Sequence, residues 1–232
     1  MMSSVCVLQT DNRDNFMIQT VKNANQIFCK VLGYNYKFIP LQNEKYVNLH
    51  PATKKIFIVN KFLQTTTYDI IIFLDTDAWI QNGYYLNELV LKLINNEKIG
   101  CFSRDPYHKK NTFINSGSFI LKNNDSSKRM YEKIIQDVYN NKEYHNSWPF
   151  DQYYISNYIF ENKDNFFIFR PDILNTPQGK ILRHNWRKNE RMLVDLKNLK
   201  YEMTPNMSFN FESYYDIQNF PNVDDNAYEY DD

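Results

Sequence analysis

The stretch IIIFLDTD, residues 70–77, decides the fold that this sequence predicts. An unbroken run of large apolar residues is typical of a strand buried on both faces, as in a parallel sheet covered by helices. The run ends abruptly in two carboxylates, Asp75 and Asp77. Ligands of open α/β sheets bind beyond the carboxyl ends of the strands, so these acidic side chains are expected at a binding site.

Strands and helices alternate on both sides of this stretch. Strand patterns cover residues 4–10, 36–39, 99–103, 117–122 and 166–169, and apolar residues at helical spacing cover residues 14–32, 51–63, 86–93, 127–139 and 150–160. The alternation predicts an α/β fold, a Rossmann-like, mostly parallel sheet flanked by helices.

The composition excludes several classes of protein. The 232 residues carry 27 basic and 27 acidic side chains, a balance that argues against a dedicated nucleic-acid-binding protein. Only 5 glycines are present, which disfavours a glycine-rich dinucleotide-binding domain. Cys6, Cys29 and Cys101 are odd in number and scattered, so they fit neither a disulfide framework nor a thiolate zinc site.

One catalytic domain is expected over residues 1–199. Regular patterns fade after Leu199, so residues 200–232 are expected to form a C-terminal extension with an acidic tail. No apolar run is long enough to span a membrane, and residues 1–10 lack the basic start of a signal peptide. A cytoplasmic location is therefore expected.

Asp75 and Asp77 are spaced so that both can reach one hard cation, and Mg²⁺ or Mn²⁺ would leave positions open for phosphates. The alternative is that they only cap the strand and the following turn. Two reactions use such a pair: phosphoryl transfer through an aspartyl phosphate, and glycosyl transfer from a nucleotide-sugar. A strand–helix–strand–helix unit precedes the pair, which favours glycosyl transfer, since haloacid-dehalogenase-like phosphatases carry their pair close to the N-terminus.

Four segments, in order, resemble GT-A fold glycosyltransferases, in particular the galactosyl- and xylosyltransferases of the yeast mannan and plant xyloglucan type. LDTDA at residues 74–78 is similar to the family's DxD segment, and FINSGSFILKN at residues 113–123 to its N-x-G-x-F-L-I-R-N strand. FDQY at residues 150–153 resembles its Asp-Gln helix start, and ILRH at residues 181–184 its metal-binding His. The resemblance covers roughly residues 45–190.

The resemblance implies a metal-dependent transferase that moves a hexose or pentose from a nucleoside-diphosphate sugar, with UDP as the nucleotide, to a hydroxyl of a glycan or glycoprotein. Asp75, Asp77 and His184 would bind Mn²⁺ or Mg²⁺. The polar residues predicted to bind the donor are Thr10, Asp11, Asn12, Lys61, Asp75, Thr76, Asn115, Gly117 and Lys188.

Asp151 and Gln152 are the predicted catalytic residues. In an inverting reaction Asp151 would be the general base for the acceptor hydroxyl. The resemblance implies retention, in which Gln152 lies beneath the anomeric carbon and Asp151 orients the donor sugar. Asp151 could instead only cap the helix that follows Pro149.

Trp148 and Trp186 are predicted to stack on the sugar of the acceptor. Phe150 stands where the family often has an acidic residue, and the Gly and Cys that flank the family's His are missing around His184. Two other functions remain open: a phosphatase or nucleotidyltransferase that uses the same Asp pair, and a non-catalytic module that binds nucleotide-sugars.

Overall fold

The structure is a computed structural model that describes residues 3–41, 46, 48–106, 112–186, 189–201, 203 and 211–214. Its strands are β1 (Val5–Asp11), β2 (Asn35–Pro40), β3 (Ile70–Leu74), β4 (Ala78–Ile80), β5 (Gly100–Arg104), β6 (Ile114–Lys122), β7 (Phe166–Phe169) and β8 (Leu182–His184). Its helices are α1 (Phe16–Leu32), α2 (Pro51–Thr65), α3 (Gly83–Ile94), α4 (Asp125–Asn140), α5 (Asp151–Glu161), α6 (Pro171–Leu174) and α7 (Asn189–Lys197), with 3-10 helices at Lys163–Asn165 and Phe211–Tyr214.

Six strands form one sheet in the order β2-β1-β3-β6-β5-β7. The pairs β1–β2, β1–β3 and β5–β7 are parallel, whereas β6 runs antiparallel to both of its neighbours, β3 and β5. All strands of this sheet except β6 therefore point the same way. The predicted α/β fold with a mostly parallel sheet is confirmed.

Successive side chains of a strand face opposite sides of a sheet, and β3 shows why this sheet needs helices on both faces. Ile70, Ile72 and Leu74 belong to a core formed with α1, α3 and α7, and Ile71 and Phe73 to a core formed with α2, α4 and α5. All five side chains are buried. The unbroken apolar run at residues 70–74 is thus a central strand covered on both sides.

Strands β4 and β8 form a second, two-stranded antiparallel sheet, in which Ala78 pairs with His184 and Ile80 with Leu182. The sequence did not predict either strand, because each has three residues and periodicity cannot be read over so short a run. This small sheet matters for the site, since it joins the end of β3 to residue 184.

Within the described ranges, no helix combines the length and the apolar character needed to cross a bilayer. The division into a domain at residues 1–199 and an extension at residues 200–232 stays a prediction. Of the predicted acidic tail, residues 215–232 lie outside the described residues.

Candidate metal and donor site

The turn after β3 brings three predicted metal ligands together. Asp75 follows the last residue of β3, and a hydrogen bond from Ala78 N to Asp75 O, 2.9 Å long, closes the turn that leads into β4. Because β8 pairs with β4, His184 lies beside this turn. The ligand atoms of Asp75, Asp77 and His184 lie within 4.8 Å of one another, so this group could hold a metal ion.

A buried amide network holds the turn from beneath. Gln9 of β1 donates through Nε2 to Asp75 O at 2.9 Å, and Asn25 of α1 donates through Nδ2 to Ala78 O at 3.0 Å. Asn25 Oδ1 also accepts the Ile80 amide at 3.0 Å. Gln9 and Asn25 are fully buried, so each of these bonds forms away from water and fixes the path of the chain between β3 and β4.

The hydrogen bonds around His184 fix the orientation of its ring. Asn115 Oδ1 accepts the Gly117 amide at 2.9 Å and lies 3.2 Å from His184 Nδ1. Because this oxygen is an acceptor, the network assigns a proton to Nδ1. The other nitrogen, Nε2, faces Asp77 Oδ1, 3.2 Å away, and Asp75 Oδ2, 3.8 Å away, so it donates to Asp77 when protonated and offers a lone pair to a metal when neutral. This is the arrangement of a metal-binding imidazole whose second nitrogen is held by a hydrogen bond.

Gly117 provides the space for that ring. A Cβ at this position would lie 2.7 Å from His184 Nε2 and closer still to Cε1 and Nδ1. Gly117 is a predicted donor-binding residue, and the group that approaches it most closely in the structure is the imidazole of His184. A contact of Gly117 with the donor stays a prediction.

Lys55 of α2 is a buried cation at the site that the sequence pattern did not predict. Its Nζ lies 3.0 and 3.1 Å from the two carboxylate oxygens of Asp75, and 3.0 Å from Asp151 Oδ2. Burial works to lower the pKa of Lys55, but the charges of Asp151 and Asp75 outweigh it and raise the pKa above its usual value. Lys55 is therefore charged in the folded protein.

The contact of Lys61 with the donor stays a prediction. Lys61 is exposed on α2 and is not among the residues that line the cleft described below. Six residues separate it from Lys55, which is about 240° around a helix of 3.6 residues per turn. No sequence signal distinguishes Lys55 from the other lysines of α2, because only the tertiary fold buries it.

Asp151 and Gln152, the predicted catalytic residues, lie at the start of α5 behind the metal ligands. Asp151 is 3% exposed, and burial, together with the charge of Asp75, raises its pKa to about 6 against the opposing effects of Lys55 and Ser116. Gln152 Nε2 donates to Asp105 Oδ2 and Thr112 O, each at 3.2 Å. Neither predicted catalytic residue lines the cleft.

The helix-capping alternative for Asp151 does not describe the structure. Phe150 occupies the N-cap position of α5 and makes no side-chain capping hydrogen bond. Its φ of 53° is unusual for a residue with a side chain. The Phe150 ring stacks on His50 with centroids 3.9 Å apart, and the Phe150 amide donates to Ser147 O at 2.9 Å. These contacts hold the strained residue that precedes Asp151.

A cleft of about 450 Å³ opens beside the metal ligands. It is lined by Thr10, Asp11, Asn12, Arg13, Leu41, His50, Pro51, Ala52, Lys55, Asp75, Thr76, Asp77 and His184. The predicted donor-binding residues at the end of β1 thus face the same space as Asp75, Thr76 and Asp77. Asn115 acts beneath His184, and Lys188 lies outside the described residues.

Asp11 ties the end of β1 to the DxD turn. Its Oδ2 accepts a short hydrogen bond from the Thr76 hydroxyl, and its two oxygens accept from Arg13 Nε at 2.9 Å and Nη2 at 2.7 Å. Burial works to raise the pKa of Asp11, but the hydrogen bonds from Arg13 and Thr76 outweigh it and lower the pKa. Asp11 is therefore ionised in the folded protein.

The tryptophans occupy three different environments. Trp186 packs edge-on against His184, with ring centroids 5.3 Å apart, whereas Trp148 is 64% exposed. Trp79 is fully buried and belongs to the core. The acceptor contacts of Trp148 and Trp186 stay predictions.

The predicted metal ligands and their charges fit a divalent cation. Asp75, Asp77 and Asp151 contribute three negative charges and Lys55 one positive charge, so the cluster carries −2 when His184 is neutral. Burial lowers the pKa of His184, but Asp77 and Asp75 outweigh it and raise the pKa. Carboxylates suit Mg²⁺ and Mn²⁺, and a neutral imidazole adds a nitrogen ligand. One dication would neutralise the cluster.

The fold is similar to that of solved glycosyltransferases. A glycosyltransferase involved in the glycosylation of the major capsid of PBCV-1 matches with a TM-score of 0.64 and 13% identity, over 84% of this chain and 99% of that chain. Apo glycosyltransferase GlyE of Streptococcus pneumoniae TIGR4 matches with a TM-score of 0.54 and 13% identity, over 86% of this chain and 61% of that chain. A scan against protein-family models finds no match, and neither does a search of curated proteins. The chain therefore has a GT-A-like glycosyltransferase fold.

Proposed function

We propose that this protein is a metal-dependent glycosyltransferase of the galactosyl- and xylosyltransferase type. Its donor is a nucleoside-diphosphate sugar, with UDP as the nucleotide, and its acceptor is a hydroxyl of a glycan or glycoprotein. The observation that carries the proposal is the group Asp75, Asp77 and His184 at the end of β3, open to the cleft beside β1. The glycosyltransferase fold supports it.

Each side chain of the proposed site has a separate role. A bound Mn²⁺ or Mg²⁺ supplies positive charge that stabilises the diphosphate as a leaving group. Asp75, Asp77 and His184 Nε2 would hold the ion, and Asn115 keeps the imidazole turned toward it. Burial raises the pKa of Asp75, and the charge and two hydrogen bonds of Lys55 Nζ act against that rise.

The burial of Asp151 supports a retaining reaction. A general base must reach the acceptor hydroxyl within hydrogen-bond distance. Asp151 is 3% exposed, is paired with Lys55 and does not line the cleft. We therefore assign it the orienting role of the retaining alternative, in which it acts on the donor side through Lys55. The anomeric configuration of the released sugar, read by proton NMR immediately after turnover, tests this assignment.

Hydrolysis of UDP-galactose and UDP-xylose, with Mn²⁺ and then with EDTA, tests the proposed function. We expect EDTA to abolish turnover and Asp77→Asn to lower it by at least about a hundredfold, since a metal-site defect costs ten- to a hundredfold even beyond the ligands. Asp137→Asn is the matched control, because Asp137 pairs with Lys133 on the exposed face of α4. Turnover that survives EDTA contradicts the proposal.

Two results would point to the other functions that the sequence left open. Phosphate trapped on Asp75 would identify a phosphatase. Tight binding of a UDP-sugar without turnover on any acceptor would identify a binding module. A cytoplasmic location stays a prediction.

A further inference from the structure

The carboxylate of Asp11 has no capacity left for a ligand. An ionised carboxylate offers about four acceptor sites. Asp11 Oδ1 accepts from the Arg13 amide at 2.8 Å and from Arg13 Nε at 2.9 Å, and Oδ2 accepts from Arg13 Nη2 and from the Thr76 hydroxyl. Described donors of the chain thus fill every acceptor site of Asp11, although Asp11 lines the cleft.

Arg13, in contrast to Asp11, has hydrogen-bonding groups that are not used by described residues. Its guanidinium uses Nε and one hydrogen of Nη2 on Asp11, while no described residue accepts from Nη1. Its side chain is 67% exposed and lines the cleft. A two-point contact with a carboxylate holds the guanidinium plane in one orientation, so the outer edge stays fixed toward the cleft.

The charges of the cleft show what that edge is suited to bind. The cations among the described lining residues are Arg13 and Lys55, and two buried carboxylates already surround Lys55. Arg13 lines the same cleft as Asp75 and Asp77, and its partner Asp11 accepts a hydrogen bond from Thr76, the residue between these two metal ligands. An anion bound to the metal would therefore meet the unused N–H groups of Arg13.

We propose that Arg13 binds the diphosphate of the donor and that Asp11 is a positioning residue for Arg13, not a donor contact. This inference rests on the proposed function, since it concerns the same cleft. It assigns the predicted donor role of Asp11 to the arginine that Asp11 holds. Because Asp11 also binds Thr76, the guanidinium is fixed relative to the DxD turn that carries the metal ligands.

Calorimetric titration of UDP, uridine and inorganic pyrophosphate, each with Mg²⁺, tests the role of Arg13. We expect Arg13→Gln to weaken UDP and pyrophosphate at least about tenfold, equivalent to about 1.4 kcal/mol, and to leave uridine unchanged. Arg170→Gln is the matched control, because Arg170 also binds a carboxylate two residues away, that of Asp172, outside the cleft. UDP binding by Arg13→Gln at wild-type affinity, or an equal loss for uridine, overturns the inference.

The positioning role of Asp11 has its own readout. Asp11→Asn should weaken UDP binding in the wild-type background and add nothing in Arg13→Gln, since coupled residues do not act additively. Additive losses overturn the positioning role. The wild-type protein could bind pyrophosphate but not UDP, with weaker pyrophosphate binding in Arg13→Gln. That result contradicts the proposed function but supports the contact between Arg13 and phosphate. A wild-type protein that binds neither overturns both.

Discussion

The geometry at residue 184 depends on the absence of a side chain at residue 117. The imidazole lies where a Cβ of residue 117 would be, and Asn115, two residues earlier, holds its Nδ1. One short segment of β6 therefore supplies both the space and the hydrogen bond that orient the ring. The requirement for glycine here is steric, and it concerns a metal ligand rather than the backbone conformation.

Gly117→Ala should therefore impair metal binding more than folding. The new methyl displaces the ring and takes Nε2 away from Asp75 and Asp77, so we expect Mn²⁺ affinity to fall by more than about tenfold, the range of defects around metal ligands. Overpacking should also cost about 1–3 kcal/mol of stability. Mn²⁺ titration and urea unfolding measure the two effects.

Gly100→Ala provides the comparison. A Cβ at Gly100 would lie 2.7 Å from the Leu121 side chain and 2.8 Å from Ile120 O, in the core. Gly100→Ala should lose about as much stability as Gly117→Ala but keep the Mn²⁺ affinity of the wild-type protein. Equal losses of affinity in both variants would show that Gly117 acts only through packing.

Lys55 stabilises the fold because its single charge lies between two buried carboxylates, those of Asp75 and Asp151. Lys55→Met keeps the length of the side chain and removes the charge, leaving Asp151 without its partner. Breaking a buried ion pair from one side costs about 3–5 kcal/mol, and urea unfolding should show a loss of that size. Adding Asp151→Asn should restore part of the stability, since the uncompensated charge is removed.

Lys133→Met is the control for this experiment. Lys133 pairs with Asp137 at 2.6 Å, but the Lys133 side chain is 54% exposed, and such surface pairs contribute little to stability. If Lys55→Met unfolds at the same urea concentration as Lys133→Met, the buried cluster does not carry the stability that we assign to it.

At the scale of elements, the turn between β3 and β4 is fixed by residues that contact no ligand. Asn25 satisfies Ala78 O and the Ile80 amide, and Gln9 satisfies Asp75 O. Helix α1 and strand β1 thus determine where β4 runs, and β4 in turn pairs with the strand that carries His184. The positions of the metal ligands therefore depend on the contacts that Gln9 of β1 and Asn25 of α1 make with the turn.

Asn25→Leu should test this dependence. It leaves the Ile80 amide without a partner, and an unsatisfied buried group costs about 1–3 kcal/mol. We expect that loss in urea unfolding, together with weaker Mn²⁺ binding as the turn relaxes. Asn23→Leu changes the same residue type on the exposed face of α1 and should alter neither quantity. Weakened stability with unchanged Mn²⁺ affinity would contradict the link from α1 to the site.

The sequence was informative where a pattern is long or a motif is local. The run at residues 70–74 predicted a buried central strand, and the spacing of Asp75 and Asp77 predicted two carboxylates that can reach one cation. Lys55 could not be identified, because a lysine on an amphipathic helix is ordinarily solvated and only the tertiary fold buries it. The contact of His184 with Gly117 depends on the unpredicted β4–β8 pairing.

At the scale of the whole molecule, the charges balance in number but are unevenly distributed. The chain has 27 basic and 27 acidic side chains, yet the cluster around Asp75 carries −2 when His184 is neutral. A neutral protein thus concentrates a local negative charge at the end of its central strand. This local charge is unfavourable in a folded chain unless a cation compensates it.

A divalent cation should therefore stabilise the whole fold. A ligand that binds only the folded state adds about 2.7 kcal/mol at a hundred times its dissociation constant. For a chain of this size, one kcal/mol shifts the melting temperature by about 2–4 °C, so saturating Mn²⁺ should raise it by about 5–10 °C. Asp77→Asn should abolish the shift and Asp137→Asn should retain it. A shift that persists in Asp77→Asn would place the stabilising cation elsewhere on the chain.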